Sequence, residues 1–449
     1  MNFLGCWVHN GETVNQLLRD ESDIQSFSAL STTQLDAAVS GRGLVPAFQP
    51  VVTLPDEVVV GYEALARWPS LNSPPPADVF AHAAATDRLD QLDHACISSA
   101  ARAALDVPST AGMLLLVNCE PTTAGIDVPA GTALSEAVSN FSLMFELTER
   151  GLLRDPPALL RKVAALRSLG GMIALDDIGA HPDSLALLDI ISPDVMKIDL
   201  RLVQRQPNQL QARTIAAVIA HHERTGATIL AEGIETDEHL EQALAYGATL
   251  GQGYRFGRPG ALGAVDRSSG VPQLPPSTGQ PETSLTPFEL AITHSGARTM
   301  RKRTLIELSR HLERLASAAE SPPIVLFTLQ QHGNYRGQTR KNFTALAKRS
   351  PLVVAFAVNA VDELDSALRW VDIGVDDPMT LEWDMVVIGP DTAAALIARE
   401  LEPPGSAAQE NDRRFETVIT FDRARVAELA RNLLNRCPAI PSTDGALSA

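Results

Sequence analysis

The sequence predicts a mixed α/β protein in which a TIM-like (β/α)8 barrel is followed by a smaller α/β domain. Three observations lead to this fold class. Short apolar, β-branched runs alternate with helical patterns through the first part of the chain, which is typical of a parallel sheet wound with helices. The chain has 449 residues, enough for a barrel and a second unit. A stretch rich in Pro, Gly, Ser and Thr between Asp266 and Pro287 is typical of a linker.

The same changes in composition predict the domain boundaries. We expect residues 1–265 to form the barrel and 266–284 to form the Pro/Ser-rich linker. Residues 285–438 would form the second α/β domain, and 439–449 a flexible tail.

The barrel strands are predicted at apolar runs, with helices over 159–169 and 210–223 stopped by glycines. The candidate strands cover 58–62, 113–117, 142–145, 172–175, 193–196, 227–231 and 248–251. Each of them runs into a polar and mostly acidic position. These positions are Glu63, Asn118, Glu146, Asp176 with Asp177, Lys197, Glu232 and Gln252. Because the carboxyl ends of barrel strands converge on one face, where active sites lie, we expect these side chains to meet there.

The second domain shows the same mixture of elements. Strands are predicted at 324–329, 352–358, 385–389 and 417–421, and helices at 301–318 and 423–434. No phosphate-binding loop, metal cluster or catalytic triad is evident in this part of the sequence. The adjacent His221 and His222 lie in a polar helical pattern, and we expect both at the surface.

Charge excludes some functions. Acids outnumber bases 54 to 37, which gives a formal charge of −17, so nonspecific binding to nucleic acid or to an anionic membrane is not expected. No apolar run reaches the roughly 18 residues of a membrane span, and the amino terminus lacks the pattern of a secretory signal. The four cysteines show no disulfide or metal spacing. These features predict a cytoplasmic protein in a reducing compartment.

The predicted ring of carboxylates indicates metal chemistry. Carboxylates with one amide oxygen form a hard ligand set that favours Mg²⁺ or Mn²⁺ over Zn²⁺. The adjacent Asp176 and Asp177 can bridge two ions about 3.5–4 Å apart, as in two-metal phosphoryl-transfer sites. Lys197 would hold a nucleophilic water or a phosphate oxygen. Alternatively, it would only form an ion pair with Asp199 or another carboxylate.

Several motifs in order resemble those of the EAL domain family, which are barrel-fold cyclic di-GMP phosphodiesterases. The namesake motif is Glu63-Ala64-Leu65. The other matching segments are LVPAFQPVV from Leu44, VNCEP from Val117, FELTER from Phe145, LDDIG from Leu175, KID from Lys197, AEGIET from Ala231 and GQGYRFGRP from Gly251. The resemblance implies hydrolysis of one phosphodiester bond of cyclic di-GMP to linear pGpG, with two Mg²⁺ or Mn²⁺ ions, in a homodimer.

The resemblance also implies residue roles, carried over motif by motif. Lys197 and Glu232 would hold and activate water, and with Glu63 they form the expected catalytic set. Glu149 would anchor the loop after Asp177, and Glu235 would be structural. The implied metal ligands are Glu63, Asn118, Glu146, Asp176 and Asp177. The implied substrate contacts are Gln49, Arg67 and Gln252.

The loop that follows Asp177 departs from the family pattern. Where the family usually continues Phe-Gly-Thr-Gly-Tyr-Ser-Ser, this chain has Ile178-Gly179-Ala180-His181-Pro182-Asp183-Ser184. Proline fixes φ and removes a donor, so the loop's support of metal binding is altered. An alternative function is therefore a weak or inactive cyclic di-GMP receptor that signals through the second domain, and a third is a scaffold that binds no nucleotide.

The second domain resembles the DICT domain, a presumed sensory module found beside cyclic di-GMP enzymes. The segments that carry the resemblance are TPFELAITHSGARTMRKRTLIELSRHLE, PLVVAFAVN and WDMVVIGP. The resemblance implies a regulatory domain with an unknown ligand or protein partner. No GGDEF-type sequence occurs, so cyclase activity is not expected.

Overall fold

The computed structural model describes residues 31–123, 131–148, 152–153, 155–180, 182–263, 284–294, 296–360, 367–401 and 410–438. Most of the predicted linker and the whole predicted tail lie outside these residues, as do Glu149 and His181. The predicted domain boundaries stay predictions for this reason.

The amino-terminal part forms a closed barrel, so the predicted fold class is confirmed. Within the described residues its strands are β1 (Val45–Thr53), β2 (Val59–Arg67), β3 (Leu114–Asn118), β4 (Ser142–Thr148), β5 (Met172–Ile178), β6 (Val195–Ile198), β7 (Thr228–Ala231) and β8 (Leu250–Gly251). Its helices are α1 (Thr32–Val39), α2 (Pro76–Ala85), α3 (Leu89–Leu105), α4 (Ala133–Asn140), α5 (Pro156–Ser168), α6 (Leu188–Ile191), α7 (Leu200–Val203), α8 (Gln209–Thr225) and α9 (Asp237–Ala245).

One strand departs from the predicted parallel sheet. Strand β1 runs antiparallel to both β2 and β8, whereas the strands from β2 to β8 are parallel to one another. Only a short turn separates Thr53 from Val59. A parallel crossover needs a dozen or more residues, so this connection makes a hairpin.

The carboxyl-terminal part is a second α/β unit, as predicted. Its described strands are β9 (Arg298–Arg301), β10 (Ile324–Gln331), β11 (Val353–Val358), β12 (Arg369–Asp372), β13 (Glu382–Ile388), β14 (Ala393–Glu400) and β15 (Arg414–Thr420). They form one sheet in the order β12-β11-β10-β13-β14-β15-β9, in which β10, β11 and β12 are parallel. Its helices are α10 (Pro287–His294), α11 (Lys302–Ala318), α12 (Gly337–Ala347) and α13 (Arg423–Leu434).

The two units pack against each other through α13. This helix lies between the sheet strands β13 and β14 and the barrel helices α5 and α6. Its apolar residues belong to the same buried cluster as apolar residues of the barrel. In the described part of the chain, we find no helix whose length and apolar character would let it cross a bilayer.

Asp189 is the main polar contact between the units. It sits in α6 and pairs with His221 and Arg224 of α8 and with Arg423 of α13, at 3.1, 3.2 and 2.6 Å. His221 is fully buried, so the prediction that it lies at the surface is wrong. The reason is that Asp189 of α6, and not water, contacts the imidazole of His221 on this polar face of α8.

Candidate active site at the carboxyl end of the barrel

The barrel interior is filled by side chains that lie just below the predicted polar ring. Strand side chains alternate between the two faces, so residues two apart point the same way. On β3 to β8 an interior apolar residue is followed two positions later by a polar one. These pairs are Leu116 and Asn118, Met144 and Glu146, Ala174 and Asp176, Val195 and Lys197, Leu230 and Glu232, and Leu250 and Gln252. The apolar layer therefore aims the polar residues into one cavity at the same end of the barrel.

Lys197 lies at the centre of this cavity and is fully buried. Its Nζ atom is 2.7 Å from Glu146 Oε1 and 2.9 Å from Asp176 Oδ1. Glu232 Oε1 lies at 2.9 Å and Glu63 Oε2 at 3.6 Å. Lys197 therefore forms ion pairs with four carboxylates of the ring. These contacts are compatible both with a role in holding water and with a purely structural ion pair. Its contact with Asp199 is not among them, because Asp199 caps α7 and pairs with Arg201 at 2.7 Å.

Three amides surround Glu63 on the other side. Asn118 donates to Glu63 Oε1 at 3.3 Å, and Gln252 donates to Oε2 at 2.6 Å. The Gln252 amide also lies 3.3 Å from Gln49 Oε1, and Gln49 is the register partner of Glu63 across the β1–β2 hairpin. Gln49 and Gln252 are both buried. The hairpin therefore brings Gln49 into the ring even though β1 runs in the opposite direction.

Asp177 joins the ring through a local irregularity of β5. In a regular strand its side chain would face away from that of Asp176. Here φ of Asp177 is +57°, and the register between β5 and β6 shifts between Leu175 and Ile178. Carboxylate oxygens of Asp176, Asp177 and Glu232 consequently lie within 4.8 Å of one another. A bulge that redirects a side chain is a common device beside active sites.

The segment after Asp177 is closely packed behind the ring. A Cβ on Gly179, whose φ is +103°, would lie 2.6 Å from Leu202 Cδ1. Residues Pro182–Leu187 then form a short 3₁₀ helix that leads into α6. The altered loop is thus continuous with the helix that contacts α13.

Burial and neighbouring negative charges raise the pKa values of Glu146, Asp176 and Asp177. Burial and the nearby Glu63 place the pKa of Glu146 well above its usual range. Burial raises the pKa of Asp176 to about 6, and burial with the charges of Asp176 and Glu232 raises that of Asp177 to about 8. Burial opposes the charge of Lys197, but its carboxylate neighbours outweigh burial and hold its pKa well above the usual value.

The ring can accommodate divalent cations because its carboxylate oxygens outnumber their donors. Oε2 of Glu146 is buried and has no hydrogen-bond partner within the described part of the chain, whereas Oε1 of Glu146 and Oδ1 of Asp176 are buried and share the Nζ atom of Lys197. One lysine among this many carboxylates leaves negative charge that a low-dielectric site does not tolerate without further cations. Oxygen donors of this kind suit Mg²⁺ and Mn²⁺.

Some predicted residues lie outside this cluster. Arg67 ends β2 and donates to the carbonyl of Ala66 at 2.9 Å, and burial lowers its pKa. Glu235 is exposed, and its backbone N–H donates to His239 at the start of α9. Glu149 is not among the described residues. Cys119, which follows Asn118, is buried, and burial raises the pKa of its thiol, which disfavours the thiolate that a nucleophile needs.

A buried ion pair behind Asn118 was not predicted. Lys162 of α5 lies 3.3 Å from Asp93 of α3, and both are almost fully buried. Asp93 also accepts from Thr123 and from the backbone N–H of Glu120, at 2.8 and 3.0 Å. The loop that follows Asn118 is thereby fastened to two helices. The sequence could have indicated this buried lysine, because Lys162 falls in the apolar stripe of α5 between Leu159 and Leu166.

Comparison with known proteins identifies the class. Residues 32–259, more than half of the chain, match the family model of the EAL domain, and the chain belongs to that family. Residues 282–401 match the DICT family, described as a sensory domain in diguanylate cyclases and two-component systems.

The most similar relatives include named phosphodiesterases. The cyclic di-GMP phosphodiesterase RocR of Pseudomonas aeruginosa is 30% identical over 225 residues, which is 47% of this chain and 56% of RocR. The probable cyclic di-GMP phosphodiesterase PdeG of Escherichia coli is 28% identical over 52% of this chain and 48% of PdeG. The chain therefore spans about half the length of these relatives.

Among solved structures, a calcium and cyclic di-GMP complex of BlrP1 from Klebsiella pneumoniae is similar to this chain. It is 28% identical with a TM-score of 0.42, over 49% of this chain and 56% of BlrP1.

Proposed function

We propose that this protein hydrolyses one phosphodiester bond of cyclic di-GMP, giving linear pGpG, in a reaction that depends on Mg²⁺ or Mn²⁺. The observation that carries the proposal is the buried ring of four carboxylates around Lys197, bordered by Asn118 and Gln252. Membership of the EAL family and the names of its relatives support the choice of substrate.

The ring offers two adjoining sets of metal ligands. Glu63, Asn118, Glu146 and Asp176 would hold one ion, and Asp177 would serve a second ion beside Asp176 and Glu232. When bound, such cations supply positive charge that polarises a phosphodiester and favours attack by water. The amide oxygen of Asn118 would be its ligand atom, since the amide NH2 group already donates to Glu63.

Lys197 and Glu232 would handle the nucleophilic water. Lys197 carries a fixed positive charge, donates hydrogen bonds and cannot act as a base while its pKa is raised by the carboxylates. Glu232 is buried 2.9 Å from it and would accept a proton from water. Gln252 would keep Glu63 oriented, because it donates to the Oε2 atom at 2.6 Å.

Gln49 and Arg67 would contact the nucleotide beside the ring. Arg67 presents a planar guanidinium that can pair with a phosphate through two hydrogen bonds. Bound cations and Arg67 would reverse the local sign of a chain with a formal charge of −17, so an anionic substrate is compatible with that charge.

We further propose that the DICT domain regulates hydrolysis through α13 and α6. Asp189 pairs with Arg423 of α13, and α6 follows the 3₁₀ segment that begins after the Asp177 loop. A shift of α13 would therefore move the backbone that carries Asp177. A homodimer and the loop-anchoring role of Glu149 are also proposals, since they come from the family resemblance alone.

Product analysis tests the proposal. Purified full-length protein is incubated with cyclic di-GMP and Mn²⁺, and the products are separated by anion-exchange chromatography. Formation of pGpG that stops on addition of EDTA is expected. Calorimetric binding of cyclic di-GMP with no pGpG under Mg²⁺ or Mn²⁺ would instead establish the receptor function. Absence of both binding and turnover would leave only a scaffold.

A further inference from the structure

A cavity of about 740 Å³ lies between the barrel and the carboxyl-terminal domain. Helix α5 and Ile190 of α6 line it from the barrel side, and α10 and α13 line it from the other. Volumes of about 300–1,000 Å³ at a domain junction are typical of sites for small molecules. The cavity is separate from the carboxylate ring, because none of its lining residues belongs to that ring.

The polar lining of the cavity is positive, unlike the chain as a whole. Four arginines line it against two carboxylates, and these charged residues are Arg161, Arg167, Arg425, Arg431, Asp422 and Glu428. Glu428 is already engaged, since it lies 3.3 Å from His294 on the same wall. The apolar wall is formed by Leu160, Val163 and Leu290 together with the exposed Ala424.

Arg167 and Arg431 face this cavity from opposite domains, and among the described residues no carboxylate lies within ion-pair distance of either. Arg431 donates to the carbonyls of Asp189 and Ile190 at 3.0 and 3.3 Å, and Arg167 donates to the carbonyl of Ser192. Neither guanidinium forms an ion pair with any residue the structure describes, and Nε of Arg167 is buried with no acceptor among them.

The two guanidinium groups also repel each other. Burial lowers the pKa of Arg431 to about 10, and Arg167 acts in the same direction, whereas the more distant carboxylates of Glu428 and Asp189 act in the opposite direction. Asp194 likewise acts on Arg167 without forming an ion pair. Two partly buried like charges with no carboxylate in direct contact are costly, and an anion placed between them would reduce that cost.

We propose that this interdomain cavity binds one small organic anion, a carboxylate or phosphate carried on an apolar body, between Arg167 and Arg431. The planar guanidinium groups suit either acid, and the apolar wall suits the rest of the molecule. Both arginines donate to the backbone of 189–192, so the ligand would bridge the carboxyl-terminal unit and the segment that follows the Asp177 loop. The binding site does not depend on the proposed hydrolysis.

The probe is 1-anilinonaphthalene-8-sulfonate, an anion with an apolar body, followed by its fluorescence in full-length protein. Saturable binding at one site per chain is expected, with displacement by 1-naphthoate or phenyl phosphate and no displacement by the neutral 1-naphthalenemethanol. Whichever acid displaces the probe at lower concentration identifies the preferred head group. Failure of every anion to bind would overturn the proposal.

Variants assign the binding to the cavity. Arg167→Gln and Arg431→Gln should each weaken binding by about tenfold or more, the usual loss for a hydrogen bond to a charged group. Arg314→Gln on the exposed face of α11 is the matched control and should bind like the parent. Ala424→Trp fills the cavity while keeping its charges, so it should abolish binding even if an arginine variant fails to fold.

Two results separate this site from the carboxylate ring. Glu63→Gln should bind the probe with unchanged affinity, whatever its effect on hydrolysis. Unchanged probe affinity in a folded Ala424→Trp variant would place the binding elsewhere and refute the proposal.

Discussion

Replacing Lys197 with Met tests whether the ring is held by its central cation. Lys197 is fully buried, with three carboxylate oxygens within 2.9 Å of Nζ and a fourth at 3.6 Å. Methionine keeps most of the volume and removes the charge. Removing one partner of a buried ion pair usually costs about 3–5 kcal/mol because the remaining charge is uncompensated. Since several carboxylates lose their cation here, we expect the upper part of that range in metal-free protein.

The assay is urea unfolding followed by circular dichroism, in EDTA and again in Mn²⁺. Cations that bind the ring would replace part of the lost charge, so Mn²⁺ should stabilise Lys197→Met more than the parent. Lys348→Met, on the exposed surface after α12, is a matched control and should stay within about 0.5 kcal/mol of the parent. A free energy of unfolding for Lys197→Met within about 1 kcal/mol of the parent in EDTA would refute the reasoning.

Three further outcomes are expected. Burial favours the neutral form of Asp189, but hydrogen bonds from His221 and Arg423 outweigh it and hold the pKa well below its usual range. Asp189→Asn should therefore lower the free energy of unfolding by about 2–3 kcal/mol at neutral pH. The loss should be smaller in acid, because protonation of Asp189 removes its contribution from the wild type as well. Equal losses at both pH values in urea titrations would contradict this. The pKa of Asp177 is raised to about 8, so in EDTA the stability of the parent relative to Asp177→Asn should fall as pH rises from about 4 to 8, and a rise would reverse the assigned sign. Lys162→Met should destabilise by about 3 kcal/mol and reduce pGpG formation through the Asn118 loop, whereas full activity in chromatographic assays would separate that ion pair from the site.

The strand ends were predictable because barrel geometry imposes a simple rule. Alternation with period two places Glu146 and Lys197 above the interior residues Met144 and Val195, and parallel strands bring their ends to one face. Residue types and their spacing therefore predict the ring. Resemblance to the EAL family added Gln49, which sits on a strand that the alternation did not predict.

Other features depended on geometry that the sequence does not encode locally. The side chain of Asp177 enters the ring only because its φ is positive and the strand register shifts there. A glycine usually signals a positive φ in a sequence, and this position has none. His221 is buried because Asp189, far away in sequence, supplies its partner. The cavity between the domains needs the docking of α13 onto α5 and α6, which no single segment predicts.

The role of the carboxylate ring in hydrolysis can be measured as the rate of pGpG formation from cyclic di-GMP in Mn²⁺ for the parent, Glu63→Gln and Glu241→Gln. Glu63 lies in the ring, and Glu241 is an exposed carboxylate on α9. We expect turnover by the parent, a loss of about 100-fold or more in Glu63→Gln, and parental activity in Glu241→Gln. Equal rates for the parent and Glu63→Gln, or no pGpG from the parent in Mn²⁺, would contradict the proposed hydrolysis.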